Sequence, residues 1–423
     1  MLNRTLVPVI LLSSALAAHS AEWTQYRGPS GDGHSPDKVV LPTGSAAPKQ
    51  VWKAPSDGGF SSFAVSNGRA FTLSLKDVEG AKQESLVAFD AKTGKELWFK
   101  PLSFVKYDGG GDSGTPTNKG GDGPRSTPTT DGKNVYVTSS LLVLTAFDAA
   151  TGNVVWSHDL MKEFAGRNIQ WENAASPLLE GGLLYVAGGG AGQSILALNP
   201  KDGAIVWKAF DEKMTHATPV AATILGQRQI IFFLQSGLLS VEPKTGKELW
   251  RYPFDYKVST AASPVVSGDI VYCSAGYGVG AGAVRITNAA GAWKATEIYR
   301  ARTNKPLANH WSTPIVKDGY LYGMFQFKEY GTGPVKCVEI ATGQVKWEQP
   351  GFGPGQVVLA GDRVVALADN GDLVTFDASP ASYHEVSRAK ILDGKCWTTP
   401  VVSNSQIFAR STKEAVCLDV SGH

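Results

Sequence analysis

Short runs of alternating apolar and polar residues recur along the chain, and each run is followed by a turn signal and a second run. One form reads LVAFDAKTGKELW at 86–98, LTAFDAATGNVVW at 144–156 and ILALNPKDGAIVW at 195–207. It returns as LLSVEPKTGKELW at 238–250 and KCVEIATGQVKW at 336–347. Alternation with a period of two predicts half-buried strands, and the central turn predicts a hairpin. Asp90, Asp148 and Asn199 are placed to accept hydrogen bonds from the turn backbone. Gly94 and its counterparts supply the positive φ that a tight reversal needs.

A second form precedes most copies of the first. It reads STPTTDGKNVYVTS from Ser126, SPLLEGGLLYVAG from Ser176 and TPVAATILGQRQIIFFL from Thr218. It reappears as SPVVSGDIVYCSA from Ser263, TPIVKDGYLYGMF from Thr313 and TPVVSNSQIFARS from Thr399. This too is strand, turn, strand, with Pro at a strand start where no ladder bond is lost. The two forms together predict repeats of four antiparallel strands.

The Trp residues set the period. Trp52, Trp98, Trp156, Trp207, Trp250, Trp293 and Trp347 are spaced by 43 to 58 residues. Repeats of roughly 40–50 residues with four strands are propeller blades. Trp98 to Trp347 end six blades, and 76 residues remain after Trp347. A seventh blade fits 357–388. An eighth begins at Thr398 but stops one strand short, and the segment Lys49–Lys53 around Trp52 resembles the missing strand. The expected fold is all-β, an eight-bladed propeller closed by this N-terminal strand, with seven blades as the alternative. The blade Trp residues are expected to be structural, because a repeated aromatic belongs to the core.

Composition fits this architecture. The chain has 47 Gly, 23 Pro and 11 Trp, with 18% charged residues. The net charge of +2 and the lack of a basic run argue against nucleic acid as a partner. Residues 1–20 read as a signal peptide, with Arg4, an apolar stretch from Leu6 to Leu16 and small residues near Ala18 and Ala21. That stretch is short for a bilayer span, which takes roughly 20 residues, and an uncleaved N-terminal anchor is the alternative. Residues 21–48 then form a leader and 49–423 one propeller domain. The expected product is secreted or periplasmic and monomeric, without a transmembrane segment in its mature form. Cys273, Cys337, Cys396 and Cys417 form no CxxC, so neither a redox motif nor a disulfide scaffold is expected.

The A-F-D-A-x-T-G-x-x-x-W pattern resembles the pyrroloquinoline-quinone (PQQ) repeat of quinoprotein-like propellers. GPRSTPT at 123–129, ASPLLEGGLLYVAGGG at 175–190 and WTQYRGPSGDGHS at 23–35 are similar to exported PQQ-like repeat proteins of planctomycete and verrucomicrobial type. The fold is also similar to the propeller lipoprotein of the outer-membrane barrel-assembly machine, although no Cys stands at the cleavage region to carry a lipid. The resemblance implies that the blade Trp docks on a neighbouring blade. A quinoprotein oxidoreductase would further require a vicinal Cys pair, calcium ligands and a catalytic Asp, and no Cys-Cys occurs.

Two sets of residues remain as candidate chemistry. Asp108, Asp112 and Asp122 in a Gly-rich segment, with Asp32 and Asp37 near the N-terminus, could offer oxygens to calcium, although the spacing is not that of an EF-hand. The preferred reading of both segments is a flexible, solvated loop. The second set is positional. If the Ser/Thr-Pro form is the innermost strand, the residues just before each Pro ring one mouth of the axial channel. These are Arg125, Asn173, His216, His310, Trp311 and Trp397, with Trp171 and Glu172 upstream. They suit an anionic or planar ligand bound by hydrogen bonds and stacking, or else they satisfy blade-end backbone groups and axial waters. The expected function is a non-catalytic binding scaffold outside the cytoplasm that needs no cofactor. The alternatives are a quinoprotein using PQQ and calcium, and a carbohydrate-active hydrolase.

Overall fold

The computed structural model describes residues 22–104, 123–327, 329 and 331–422. The candidate ligands Asp108, Asp112 and Asp122, and the signal segment, lie outside these residues. The described chain forms eight antiparallel sheets of four strands, and one of them carries a short fifth strand. The only helix among the described residues is the single turn Leu160–Glu163.

Blade one runs from Ala64 to Pro101, and each later blade repeats its order from inside to outside. First strands of adjacent blades touch one another, which sets them around the axis. Blade eight consists of Val401–Ser403, Gln406–Arg410, Glu414–Asp419 and, as its outer strand, Lys49–Pro55 from the other end of the chain. Trp52 faces Cys417 across this pair. The propeller is therefore closed by the expected strand, which leaves no half-built blade edge.

The sheets share one irregularity. In every blade the register between the third and fourth strands slips by one residue. A bulge of this kind re-aims the side chain beside it. The residue after the bulge is Trp52, Trp98, Trp156, Trp207, Trp250 or Trp347 in six blades. Each of these rings except Trp250 leans on the hairpin turn of the next blade. Trp52 donates to Ala91 O at 2.8 Å, Trp156 to Pro200 O at 2.9 Å, Trp207 to Pro243 O and Trp347 to Ser379 O at 2.8 Å. Trp98 packs on the turn at Gly152.

Two blades depart from the pattern. Tyr299, not Trp293, occupies the slot of blade five, opposite Ala283. Trp293 sits nearer the far end of a long hairpin, Gly280–Ala289 with Ala292–Ala301, and packs in the cluster around Trp250. Trp250, which faces that elongated hairpin, donates to Gln229 of its own blade instead. Blade seven carries Ser387 in the slot.

Residues 22–48, the described part of the expected leader 21–48, pack across the end of the axis where the first strands finish. Trp23 pairs with Val65 of blade one, and Thr24 O accepts from Thr130 of blade two. The Gln25 amide oxygen accepts from Leu179 N of blade three at 3.0 Å. The buried Arg27 guanidinium donates to Thr313 O at 2.7 Å and Pro314 O at 2.8 Å in blade six. His34–Ser35 pairs with Leu359–Ala360 of blade seven, and Ser35 donates to Val402 O of blade eight. Alternation had concealed this segment because, apart from the two-residue strand His34–Ser35, it touches the blades by single residues.

Candidate functional site

Strand direction decides which loops meet. The first strand of each blade runs from one mouth to the plugged mouth, and the second returns. The opposite mouth is therefore built by two loop sets: those leading into the first strands, and those joining second to third strands. Sequence reasoning identified the first set and missed the second.

Aromatic rings from both sets form an arc. Trp171 stacks on Tyr277 with centroids 6.3 Å apart, and Tyr277 meets His310 edge-on at 4.9 Å. His310 contacts Trp311 at 4.8 Å, Trp311 contacts Trp397 at 4.7 Å, and Trp397 stacks on Phe60 at 5.1 Å. Phe327 braces Tyr277 and His310 from behind. The Lys395 ammonium lies 4.8 Å from the Trp397 ring centre, and burial brings its pKa down to about 8. Trp171, Tyr277, Trp311 and Phe60 keep part of their surface exposed, whereas His310 and Trp397 are buried. Tyr277 and Phe327 were absent from the sequence expectation because they lie in returning loops. Phe60 was absent because it precedes a first strand that lacks the Ser/Thr-Pro signature.

The backbone at one end of the arc is strained. Trp171 and Glu172 have φ of 67° and 63°, and Tyr277 has φ of 57°. Consecutive non-glycine residues in the left-handed region are costly, and such outliers gather at functional sites.

Beneath the arc lies a polar layer. Arg125 donates to Trp171 O at 2.8 Å and faces Glu84 and Glu172. Glu84 is fully buried and accepts from the Ser140 amide and hydroxyl, and burial pushes its pKa up to about 7. His216 Nε2 meets Gln170 O, so that nitrogen carries the proton and Nδ1 accepts from Ser259 Oγ at 3.0 Å. Burial, helped by Arg125, lowers the His216 pKa to about 4 and keeps the ring neutral. Ser259 is itself buried, so the Ser–His contact is a packing contact rather than an exposed nucleophile. Asn173 is spent on structure. Its amide bonds Ala175 in both directions and reaches Thr138 O and Ser139 O. The structure thus joins Arg125, Trp171, Glu172 and His216 in one sector and His310, Trp311 and Trp397 in the next, linked through Tyr277.

At the plugged mouth, a cavity of about 280 Å³ lies between Ser30–Asp32 and the first strands of blades four and five. Its two arginines are committed: Arg27 to carbonyls, and Arg228 to Glu180 through two bonds. All four cysteines are buried and unpaired with one another. Among the described residues, no three His, Cys, Asp or Glu side chains converge as a metal-binding group. No described helix is long and apolar enough to cross a membrane.

Comparison with known proteins bears on the whole blade array. Residues 82–326 match the PQQ-like repeat family described as outer membrane protein assembly factor BamB. Outer membrane protein assembly factor BamB of Moranella endobia is 24% identical over 338 residues, covering 77% of this chain and 68% of the relative. The crystal structure of BamB from Moraxella catarrhalis superposes with a TM-score of 0.59 at 15% identity, over 88% of this chain and all of that one. A quinohemoprotein alcohol dehydrogenase from Pseudomonas putida HK5 superposes at 0.68 with 12% identity, over 95% of this chain and 81% of that one. At such identities the two superpositions establish the fold alone.

Proposed function

The chain belongs to the PQQ-like repeat family described as outer membrane protein assembly factor BamB, and from that premise we propose that it is a non-catalytic binding scaffold working outside the cytoplasm. The partner is held at the mouth opposite the N-terminal plug. One observation carries this reading: the strained arc from Trp171 through Tyr277 to Trp311 presents partly exposed aromatic surface over a buried polar layer. Walls that are largely apolar with a few convergent polar groups are the usual make-up of a binding site. Export follows from the N-terminal segment with Arg4 and the apolar run after it.

The test uses immobilised full chain and an extract of the compartment outside the cytoplasm. Wild type should retain partners that a Trp171→Ala, Trp311→Ala double variant of unchanged melting temperature does not. Equal retention by both would remove the mouth from the account. Purified chain supplied with PQQ and calcium should oxidise neither alcohols nor sugars above background. Turnover there would overturn the non-catalytic half.

A further inference from the structure

Two glutamines stand out at the mouth side of blades six and seven, one of them bonded to Trp311. Gln326 is 4% exposed, and neither its Oε1 nor its Nε2 has a hydrogen-bond partner among the described residues. Gln356 is equally buried. Its Nε2 donates to Trp311 O at 3.0 Å, while its Oε1 has no such partner. A buried amide without partners is costly, and each one calls for a reason.

The Gln326 amide is closely packed but not bonded. It lies against Gly333, where a Cβ would fall 1.8 Å from Oε1, so only glycine leaves the amide its space. The Gly333 loop is tied by Gly333 O to Phe352 N and Gly353 N, in the segment that leads into Gln356. Trp311 is fixed over the same segment, its indole donating to Pro354 O at 3.1 Å. Phe327, next to Gln326, packs on His310, which packs on Trp311. Buried amides and a partly exposed tryptophan thus share one wall of the mouth.

We propose that this wall takes a neutral saccharide end, with pyranose hydroxyls on the Gln326 and Gln356 amides and a sugar face on Trp311. The assignment rests on the mouth being the binding site and specifies what that site recognises. An amide donates and accepts at once, as do vicinal hydroxyls. An anionic ligand would call for a cation where these amides stand. An aromatic face beside paired hydrogen-bonding groups accepts the C–H face of a sugar ring. A site built to bond hydroxyls also rejects analogues that lack them.

The experiment titrates the purified full chain with chitotetraose, cellotetraose and a neutral Gly/Ser hexapeptide, followed by calorimetry and tryptophan fluorescence. Saturable binding of a tetrasaccharide is expected, with a fluorescence shift. Gln326→Met should weaken it roughly tenfold or more while leaving the melting temperature unchanged or higher, since an unpartnered amide adds no stability. Trp311→Ala should lose the fluorescence response. Binding of the peptide but neither sugar would overturn the saccharide assignment, as would sugar affinity unchanged in both variants. If Trp311→Ala abolishes partner retention while wild type binds no sugar, the saccharide assignment falls and the mouth survives. If sugar binds wild type and both variants alike, the mouth reading falls with it.

Discussion

At the residue scale, two buried titratable groups at the mouth make opposite demands on pH. Glu84 is lifted from 4.5 to about 7 by burial, so the folded chain holds a proton there that the unfolded chain releases above about 4.5. Its contribution therefore erodes stability as pH rises from about 4.5 to about 7. His216 is lowered from 6.5 to about 4, so the unfolded chain takes the proton first and stability is lost as pH falls through that window. The two oppose each other between about pH 4.5 and 6.5, each on the order of 1–3 kcal/mol. Glu84→Gln should expose the His216 effect as a melting temperature that climbs from pH 4.5 to 6.5, more steeply than in wild type. Thermal melts at intervals across that range check this, and identical slopes would contradict it. Neither shift is readable from sequence, because burial, the largest cause of both, comes from packing between blades, while the bonds of Ser140 to Glu84 and of Gln170 to His216 act against the shifts.

At the element scale, the unit that joins blades is an indole on a turn glycine. Trp52 shows it most directly. A Cβ on Gly94 would come within 2.6 Å of the Trp52 ring, and Gly94 sits at φ of 70°. Gly94→Ala should destabilise by about 1–3 kcal/mol from backbone strain alone, with displacement of Trp52 in addition. Trp52→Ala should cost about 3–5 kcal/mol, because the ring is 6% exposed and packs in the core cluster that joins blades seven, eight and one. Chemical denaturation of both variants measures these values, and an unchanged transition in Trp52→Ala would mean that the closing strand is dispensable. The hairpin and its Asp or Asn were legible in the sequence because turn chemistry is local. Asp90 Oδ1 indeed accepts from Lys92 N and Thr93 N. The slot of blade five was misread because a Trp of similar spacing, Trp293, stands six positions before Tyr299. Spacing alone does not reveal a hairpin lengthened at its far end.

At the scale of the whole molecule, strand count, blade count and closure were readable, since each rests on a repeated local pattern. The plug was not, because residues 22–48 join six blades through scattered bonds. Deleting 22–48 while keeping Lys49–Pro55 should therefore lower the melting temperature of the entire propeller in one transition, as seen by circular dichroism. Loss of a tail without thermal consequence would contradict the packing around Trp23 and Arg27, both nearly fully buried. The site was half legible. Loops before the first strands carried a Pro signature, while the returning loops with Tyr277 and Phe327 carried none.

The two mouths differ, and the account stands on that difference. Trp171 lies at the aromatic mouth, and Leu225 lies exposed in a turn on the plugged side. A benzophenone-bearing residue, which reacts with C–H bonds of proteins and sugars alike, can be placed at either position. After irradiation in an extract of the compartment outside the cytoplasm, mass spectrometry should find defined adducts on the chain labelled at position 171 and none on the chain labelled at 225. Adducts at 225 with none at 171 would place recognition on the plugged side and contradict the assignment of the mouth.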